Sequence, residues 1–333
     1  MNARVQIEGT DTEFSADGAT SVLDAALRAG IELPYSCRKG VCGNCAARVV
    51  QGEVAPRPGM SLTHEACTSG QVLLCSALAA GDLVIAPTRW RRIDPGARKT
   101  VAARVYSHDR PAPDVSVLRL RLPAGQRLRF AAGQYLQVQM DDGSARCYSM
   151  ANPPHESDGV TLHVRHVSGG RFTQRLSTLQ AGDTLTLELP FGQVDLPAED
   201  ARPIVFVAGG TGFAPVKSIL DDWAKRRITR DITLIWGARE SSGLYLPAAV
   251  DKWRKAWPGL RYVPALSDVT TPDPGIFAGR VDQALTACHP SLAGHVVYAC
   301  GSPAMVDAVR QAALHAGVAP ADVHADAFVA GPV

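Results

Sequence analysis

Apolar positions along this chain change rhythm from segment to segment, and each change marks a structural unit. In residues 1–87 short runs predict strands at 4–8, 46–50 and 83–86. One helix is well marked among them: Ser21 is a candidate N-cap, Asp24 follows three residues on, and Gly30 closes the segment. Residues 88–100 lose the pattern; they are rich in arginine, carry Pro95-Gly96 in the middle and read as a solvated linker. Residues 101–198 return to a β rhythm, with runs at 115–122, 135–140, 160–167 and 184–189 broken by Gly, Pro and Asp. About six such strands predict a small antiparallel barrel. Residues 203–333 alternate apolar runs at 204–208, 232–236 and 296–300 with helical stretches, the pattern of buried parallel strands in a doubly wound sheet. The expected class is multidomain, α+β and α/β, as suits a chain of 333 residues.

Charge adds an exclusion. With 34 basic and 32 acidic residues there is no field to attract nucleic acid or an anionic membrane surface. No apolar run reaches the length of a membrane span. The N-terminus, Met1 to Glu8, lacks the apolar core of a secretory signal, so a reducing cytoplasm is expected. A monomer is the default expectation.

Four of the eight cysteines then change the picture. Cys37, Cys42 and Cys45 read C-x4-C-x2-C, and Cys75 follows after 29 residues. Disulfides need an oxidising compartment, and zinc sites usually pair one C-x2-C with a second, which is missing here. The spacing is that of a plant-type 2Fe–2S cluster, with three thiolates on one loop and the fourth from a distant strand. Gly40 and Gly43 let the loop curl so that its N–H groups point at sulfur. Cys67 is the rival fourth ligand; Cys75 is preferred because it ends the apolar stretch Val72-Leu73-Leu74. Cys67, Cys147 and Cys288 read as buried free thiols.

The expected barrel carries Arg146-Cys147-Tyr148-Ser149 on one extended strand, where Arg146 and Tyr148 share a face. A flavin needs an aromatic face, a hydroxyl near N5 and positive charge at its phosphates. The turn Gly169-Gly170-Arg171-Phe172-Thr173 opens a helix expected over 172–179, a way to hold a pyrophosphate. In the last segment a strand runs into Gly209, Gly210, Thr211 and Gly212, then a helix over 215–225. This is a dinucleotide turn, though not the Gly-x-Gly-x-x-Gly fingerprint. Arg239, with Ser241 and Ser242, suits a 2′-phosphate and NADPH, which we favour; Glu240 suits a free ribose and NADH. Cys300-Gly301 repeats the strand–turn–helix theme.

On these motifs the chain resembles the ferredoxin–NADP reductase family, preceded by a segment that resembles β-grasp plant-type ferredoxins. Their order is similar to that of the single-chain reductases of multicomponent aromatic oxygenases. The resemblance implies that Arg146, Gly170, Arg171 and Thr173 hold the flavin phosphates, that Tyr148 stacks on the ring and that Ser149 bonds near N5. It implies that Cys300 and Gly301 lie under the nicotinamide, Cys300 positioning it for transfer, and that Phe328 approaches the flavin. Electrons would pass from NADPH or NADH through FAD, rather than FMN, to the 2Fe–2S cluster and then to a Rieske oxygenase docked near Arg38 and Lys39. A plant-type cluster lies at about −400 mV and a Rieske centre at about −150 mV or above, so that last step is downhill. Reductases of di-iron monooxygenases or of deoxysugar dehydratases are alternatives of the same class, and a non-catalytic redox sensor is one of another class.

Overall fold

A computed structural model describes residues 2–63, 67, 70–94, 96, 98–194, 196–197, 199–269 and 273–329. The chain divides into two compact units.

The first unit spans Met1–Ala97 and takes in Ala325–Val329. Its elements are β1 (Ala3–Ile7), β2 (Glu13–Ala16), α1 (Val22–Arg28), β3 (Ile31–Glu32), β4 (Ala46–Gln51), β5 (Val54–Pro56), β6 (Gln71–Leu73), β7 (Ala77–Ala79), β8 (Leu83–Pro87) and β9 (Arg91–Arg92). The main sheet has the order β2-β1-β8-β4-β6, with β1 parallel to β8. Alternation puts Ala3, Val5 and Ile7 inward and Arg4 outward. The helix forms as its caps dictate. Ser21 Oγ accepts the Asp24 N–H at 3.1 Å, and Val22, Leu23, Ala25, Ala26 and Leu27 are buried. Val22, Leu23 and Leu27 each contribute roughly 1.5–3 kcal/mol on burial. A sheet gripping one helix is the β-grasp shape.

The expected linker is in part structured. Arg91 and Arg92 pair with Glu32 and Ile31 as β9, Ile93 N–H donates to Gly30 O at 2.8 Å, and the Arg91 guanidinium meets the Glu32 carboxylate at 2.5 Å. Charge pairing with a buried Glu32 thus overrides the loop signal of the arginine run. Pro95 lies outside the described residues.

The second unit begins at Arg98. It contains β10 (Lys99–Ala112), β11 (Val115–Arg121), β12 (Tyr135–Gln139), β13 (Ala145–Ser149), β14 (Gly159–Arg165), α2 (Arg171–Leu176) and β15 (Thr184–Phe191). These strands form a six-stranded antiparallel sheet of order β13-β12-β15-β10-β11-β14. A bridge between Met150 and Leu162 joins its two ends, so the sheet closes on itself. Leu118, Leu136, Leu162 and Leu187 fill the interior. The helix expected over 172–179 stops at Leu176, because Ser177, Thr178 and Leu179 leave the helix in tight turns.

The rest of the unit alternates strand and helix: β16 (Ile204–Gly209), α3 (Phe213–Arg226), β17 (Ile232–Ala238), α4 (Pro247–Ala256), β18 (Arg261–Leu266), β19 (Phe277–Ala278), α5 (Val281–Cys288), β20 (Val296–Gly301), α6 (Pro303–His315) and β21 (Val323–Ala327). Strands β19-β18-β17-β16-β20 are adjacent in that order and parallel, with fully apolar β16 and β20 buried throughout their centres. The last three residues of β21 cluster with the first unit. Among the described residues no helix is long and apolar enough to cross a membrane.

Candidate redox and nucleotide sites

Three of the four predicted thiolates sit on the loop between β3 and β4, and Cys75 follows β6. The loop curls through positive φ at Arg38 (54°), Gly40 (74°) and Gly43 (74°). At Gly40 even the space is closed, since a Cβ would stand 2.9 Å from Ser76 Oγ. The curl aims backbone amides at sulfur: the Lys39 N–H donates to Cys37 Sγ at 3.4 Å.

The thiols group two by two, Cys37 with Cys42 and Cys45 with Cys75, and acidity follows the pairs. Hydrogen bonding from Cys42 draws the Cys37 thiol down to about 6, against the opposing effect of burial, with help from the Lys39, Val41 and Cys42 amides. Cys42, the donor, is raised well above the usual thiol range. In the same way Cys45 is raised by donating to Cys75, and Cys75 is lowered by Cys45 and the Ser76 hydroxyl. Among the described residues no three His, Cys, Asp or Glu side chains converge to hold a single metal ion. Two thiol pairs suit a two-iron cluster, in which each iron takes two of four cysteine thiolates. The donor set therefore fits the 2Fe–2S group. Of the other thiols, Cys67 and Cys288 are half-buried and Cys147 is exposed, so none is the buried free thiol expected from sequence. Strand alternation turns Cys147 away from the face that Arg146 and Tyr148 share.

On that face the Tyr148 ring lies 5.1 Å from the Phe172 ring, tilted by 42°. Burial raises the Tyr148 phenol above its ordinary range. Ser149 ends the strand, 6% exposed. Arg146 Nη1 donates to Ser144 Oγ at 3.2 Å, and Arg171 pairs with Asp142 on the same hairpin tip. Thr173 Oγ1 accepts the Val167 N–H at 3.2 Å, and a Cβ at Gly170 would stand 3.0 Å from Val167 O and 3.1 Å from Thr173 Oγ1. The tetrapeptide and the glycine turn thus meet through Tyr148 and Phe172. A half-buried aromatic ring, a buried hydroxyl and two guanidinium groups fit a flavin and its phosphates.

The two nicotinamide motifs also converge. Ala208 pairs with Cys300 across parallel β16 and β20, and a Cβ on Gly212 would stand 2.1 Å from Cys300 O. A Cβ on Gly209 would stand 2.4 Å from Met305 Sδ. Residues 210–212 make one tight turn whose Gly210 carbonyl accepts the Trp236 indole N–H at 3.1 Å. Trp236 in turn stacks on Phe213 at 3.7 Å. Such a glycine cradle fits a dinucleotide approaching backbone amides. Arg239 is exposed just beyond β17, and residues 241–243 turn beside it. Phe328, expected near the flavin, clusters with the four-cysteine unit.

Sequence reasoning missed Arg165 and Met305. Arg165 ends β14, pairs with Asp114, and its Nη2 would stand 2.5 Å from a Gly210 Cβ. Neither residue belongs to a local motif; each reaches the glycine turn from a different strand or helix.

Three family models match successive parts of the chain. The model described as "2Fe-2S iron-sulfur cluster binding domain" matches residues 5–80, "Oxidoreductase FAD-binding domain" matches 102–196, and "Oxidoreductase NAD-binding domain" matches 206–311. A terephthalate 1,2-dioxygenase reductase component of Comamonas sp. is 58% identical over 100% of this chain and 99% of its own. A CDP-6-deoxy-L-threo-D-glycero-4-hexulose-3-dehydrase reductase of Yersinia pseudotuberculosis is 34% identical over 99% of both. Among solved structures, an Amycolatopsis cytochrome P450 reductase has a TM-score of 0.79 at 33% identity, covering 98% of each chain. Iron–sulfur, flavin and nicotinamide modules in one continuous match make this chain an NAD(P)H-dependent flavin and iron–sulfur oxidoreductase, and it belongs to the ferredoxin–NADP reductase family, in the group that contains the terephthalate 1,2-dioxygenase reductase components.

Proposed function

We propose that this oxidoreductase is the reductase component of a terephthalate 1,2-dioxygenase system, passing electrons from NAD(P)H to a Rieske oxygenase. The observation that carries the reading is the 58% identity along the whole chain, thiol loop and both nucleotide modules included. Bound FAD supplies the conversion between a two-electron hydride donor and a one-electron acceptor.

The protein's own residues prepare that exchange. Arg146, Arg171, Gly170 and Thr173 hold the flavin phosphates, the Tyr148 face supports the ring, and the Ser149 hydroxyl holds its reactive edge. The turn of Gly209, Gly210, Thr211 and Gly212 receives the dinucleotide phosphates. Cys300 and Gly301, wedged against that turn, set where the nicotinamide lies. Arg239 favours the 2′-phosphate of NADPH. Cys37, Cys42, Cys45 and Cys75 hold the cluster. The protein works as a cytoplasmic monomer, and the choice of aromatic substrate belongs to the oxygenase.

Anaerobic addition of NADPH, and separately NADH, to the purified protein tests this. The expected result is bleaching of flavin and cluster absorbance, the EPR signal of a reduced 2Fe–2S centre, and then reduction of a purified terephthalate oxygenase component. The faster nucleotide identifies the donor. A protein that no nucleotide reduces, or that reduces its cluster but not that oxygenase, overturns the assignment.

A further inference from the structure

The loop that carries Cys37, Cys42 and Cys45 is fastened by a segment nearly the whole chain away. Ser36, which directly precedes Cys37 and is 7% exposed, donates its hydroxyl to an Asp326 carboxylate oxygen at 2.5 Å. Asn44, which directly precedes Cys45, donates its side-chain amide to Ala325 O at 2.7 Å. Lys39 Nζ reaches Val329 O at 3.4 Å. All these residues fall within the four-cysteine unit. Two of the three contacts act on the residue before a ligand, so each bears on where a sulfur sits. On the other side of Cys37, Arg38 is tied to Asp24 of α1 at 2.5 Å.

We propose that Asp326 is a positioning residue for the cluster: its carboxylate, held on the Ser36 hydroxyl, sets the loop geometry around Cys37 and keeps the cluster hard to reduce. The physics is direct. Reduction adds negative charge to a centre already bounded by four thiolates, and a carboxylate close to the loop opposes that addition. Hydrogen bonds and charge around the ligands are established levers on such potentials. A low cluster potential preserves the driving force toward a higher-potential acceptor. This residue pair is invisible to the ligand spacing, because its partners lie 290 residues apart.

The experiment is an EPR-monitored redox titration of the full-length protein and three variants, Asp326→Asn, Ser36→Ala and Ser36→Thr. In D326N the amide oxygen still accepts from Ser36 but the charge is gone. At a fixed potential its reduced-to-oxidised ratio is expected to rise about tenfold, which is about 59 mV for one electron. S36A, which removes the hydrogen bond that holds the carboxylate beside Cys37, is expected to shift in the same direction, and S36T to return to the wild-type value. Unchanged or lowered potentials in D326N and S36A overturn the proposal. If D326N does not retain the cluster, the contrast between S36A and S36T decides it in the same way. The proposal rests on cluster ligation by the four cysteines. A wild-type protein with no 2Fe–2S signal would overturn that reading, whereas a normal wild-type signal with unmoved variants overturns only the role of Asp326.

Discussion

Cys75 and Cys67 lie close in sequence, yet they are placed differently in the fold. Cys75 is 1% exposed and shares a hydrogen bond with Cys45; Cys67 is half-buried and outside both thiol pairs. On the proposed ligation, replacing Cys75 with Ser removes one of two thiolates from one iron, so the cluster is expected to be lost while flavin absorbance remains. Cys67→Ser is expected to keep both chromophores. Iron content and the visible spectrum of the two variants check this, and cluster loss in the Cys67 variant alone would exchange their roles. The proposed ligand set could be read from sequence because cluster geometry imposes a short, rigid spacing. What surrounds it could not. Arg38 is a non-glycine residue at φ 54°, held by Asp24 fourteen residues earlier, and Ser36 is held by Asp326. Nothing local in the sequence encodes either partner. The Arg38–Asp24 pair also removes much of the free charge that the docking expectation assigned to Arg38, leaving Lys39 as the more exposed cation of that loop.

At the scale of elements, the glycine turn between β16 and α3, proposed to receive the dinucleotide phosphates, is also a packing device. Gly212 has an ordinary helical φ of −57°, so any residue satisfies its backbone; space is what demands glycine. A Cβ there would stand 2.1 Å from the Cys300 carbonyl oxygen, a backbone atom that cannot swing aside. Gly212→Ala must therefore push β16 and β20 apart where the two nicotinamide motifs meet. Reduction by NAD(P)H is expected to fall at least tenfold while chemical reduction by dithionite still bleaches the cluster, and Gly81→Ala, whose Cβ meets nothing within 4 Å, serves as the neutral control. Equal activity in both variants would remove the steric argument. The turn was readable from sequence because strand, glycines and helix follow one another. Strand β10 was not. Its fourteen residues include Arg, Asp, His and Pro, and two register shifts, at Val105/Ser107 and Asp109/Ala112, break the period of two. It holds the centre of the barrel by pairing with both β11 and β15, a long-range demand that local propensity does not report. The arginine run at β9 was misread for the same reason, since Glu32 supplies its order from 59 residues away.

Across the second unit as a whole, the barrel and the nucleotide-binding sheet share a buried polar contact. His163 on β14 places Nδ1 2.9 Å from the Tyr245 hydroxyl, which follows β17, and Tyr245 packs edge-on against Trp236 at 5.3 Å. Among the described residues the buried His163 Nε2 has no hydrogen-bond partner, so a second ring proton would have no acceptor there. Burial, reinforced by Lys217 and Arg119, pushes the His163 imidazole down from 6.5 to about 3. The sign of the consequence follows from proton counting. Above the unfolded pKa neither state binds the proton and the contact is intact. Between 6.5 and about 3 the unfolded chain binds a proton that the folded protein refuses, so stability falls as pH falls. Well inside that window the loss is about 1.4 kcal/mol per pH unit from this one residue. Two other histidines held down by burial, His166 and His289, act in the same direction in this range, so the absolute slope is not diagnostic. The difference from a variant is. His163→Gln retains an amide able to meet Tyr245 but cannot titrate, and its pH slope is expected to be shallower than that of the wild type by about one proton. Denaturant unfolding followed by tryptophan fluorescence between about pH 7 and about pH 5 measures both slopes, with Trp236 and Trp253 as buried reporters in the same aromatic cluster. Parallel slopes would mean that the imidazole is protonated in the folded protein, and the contact with Tyr245 would then have to be rebuilt around a charged ring.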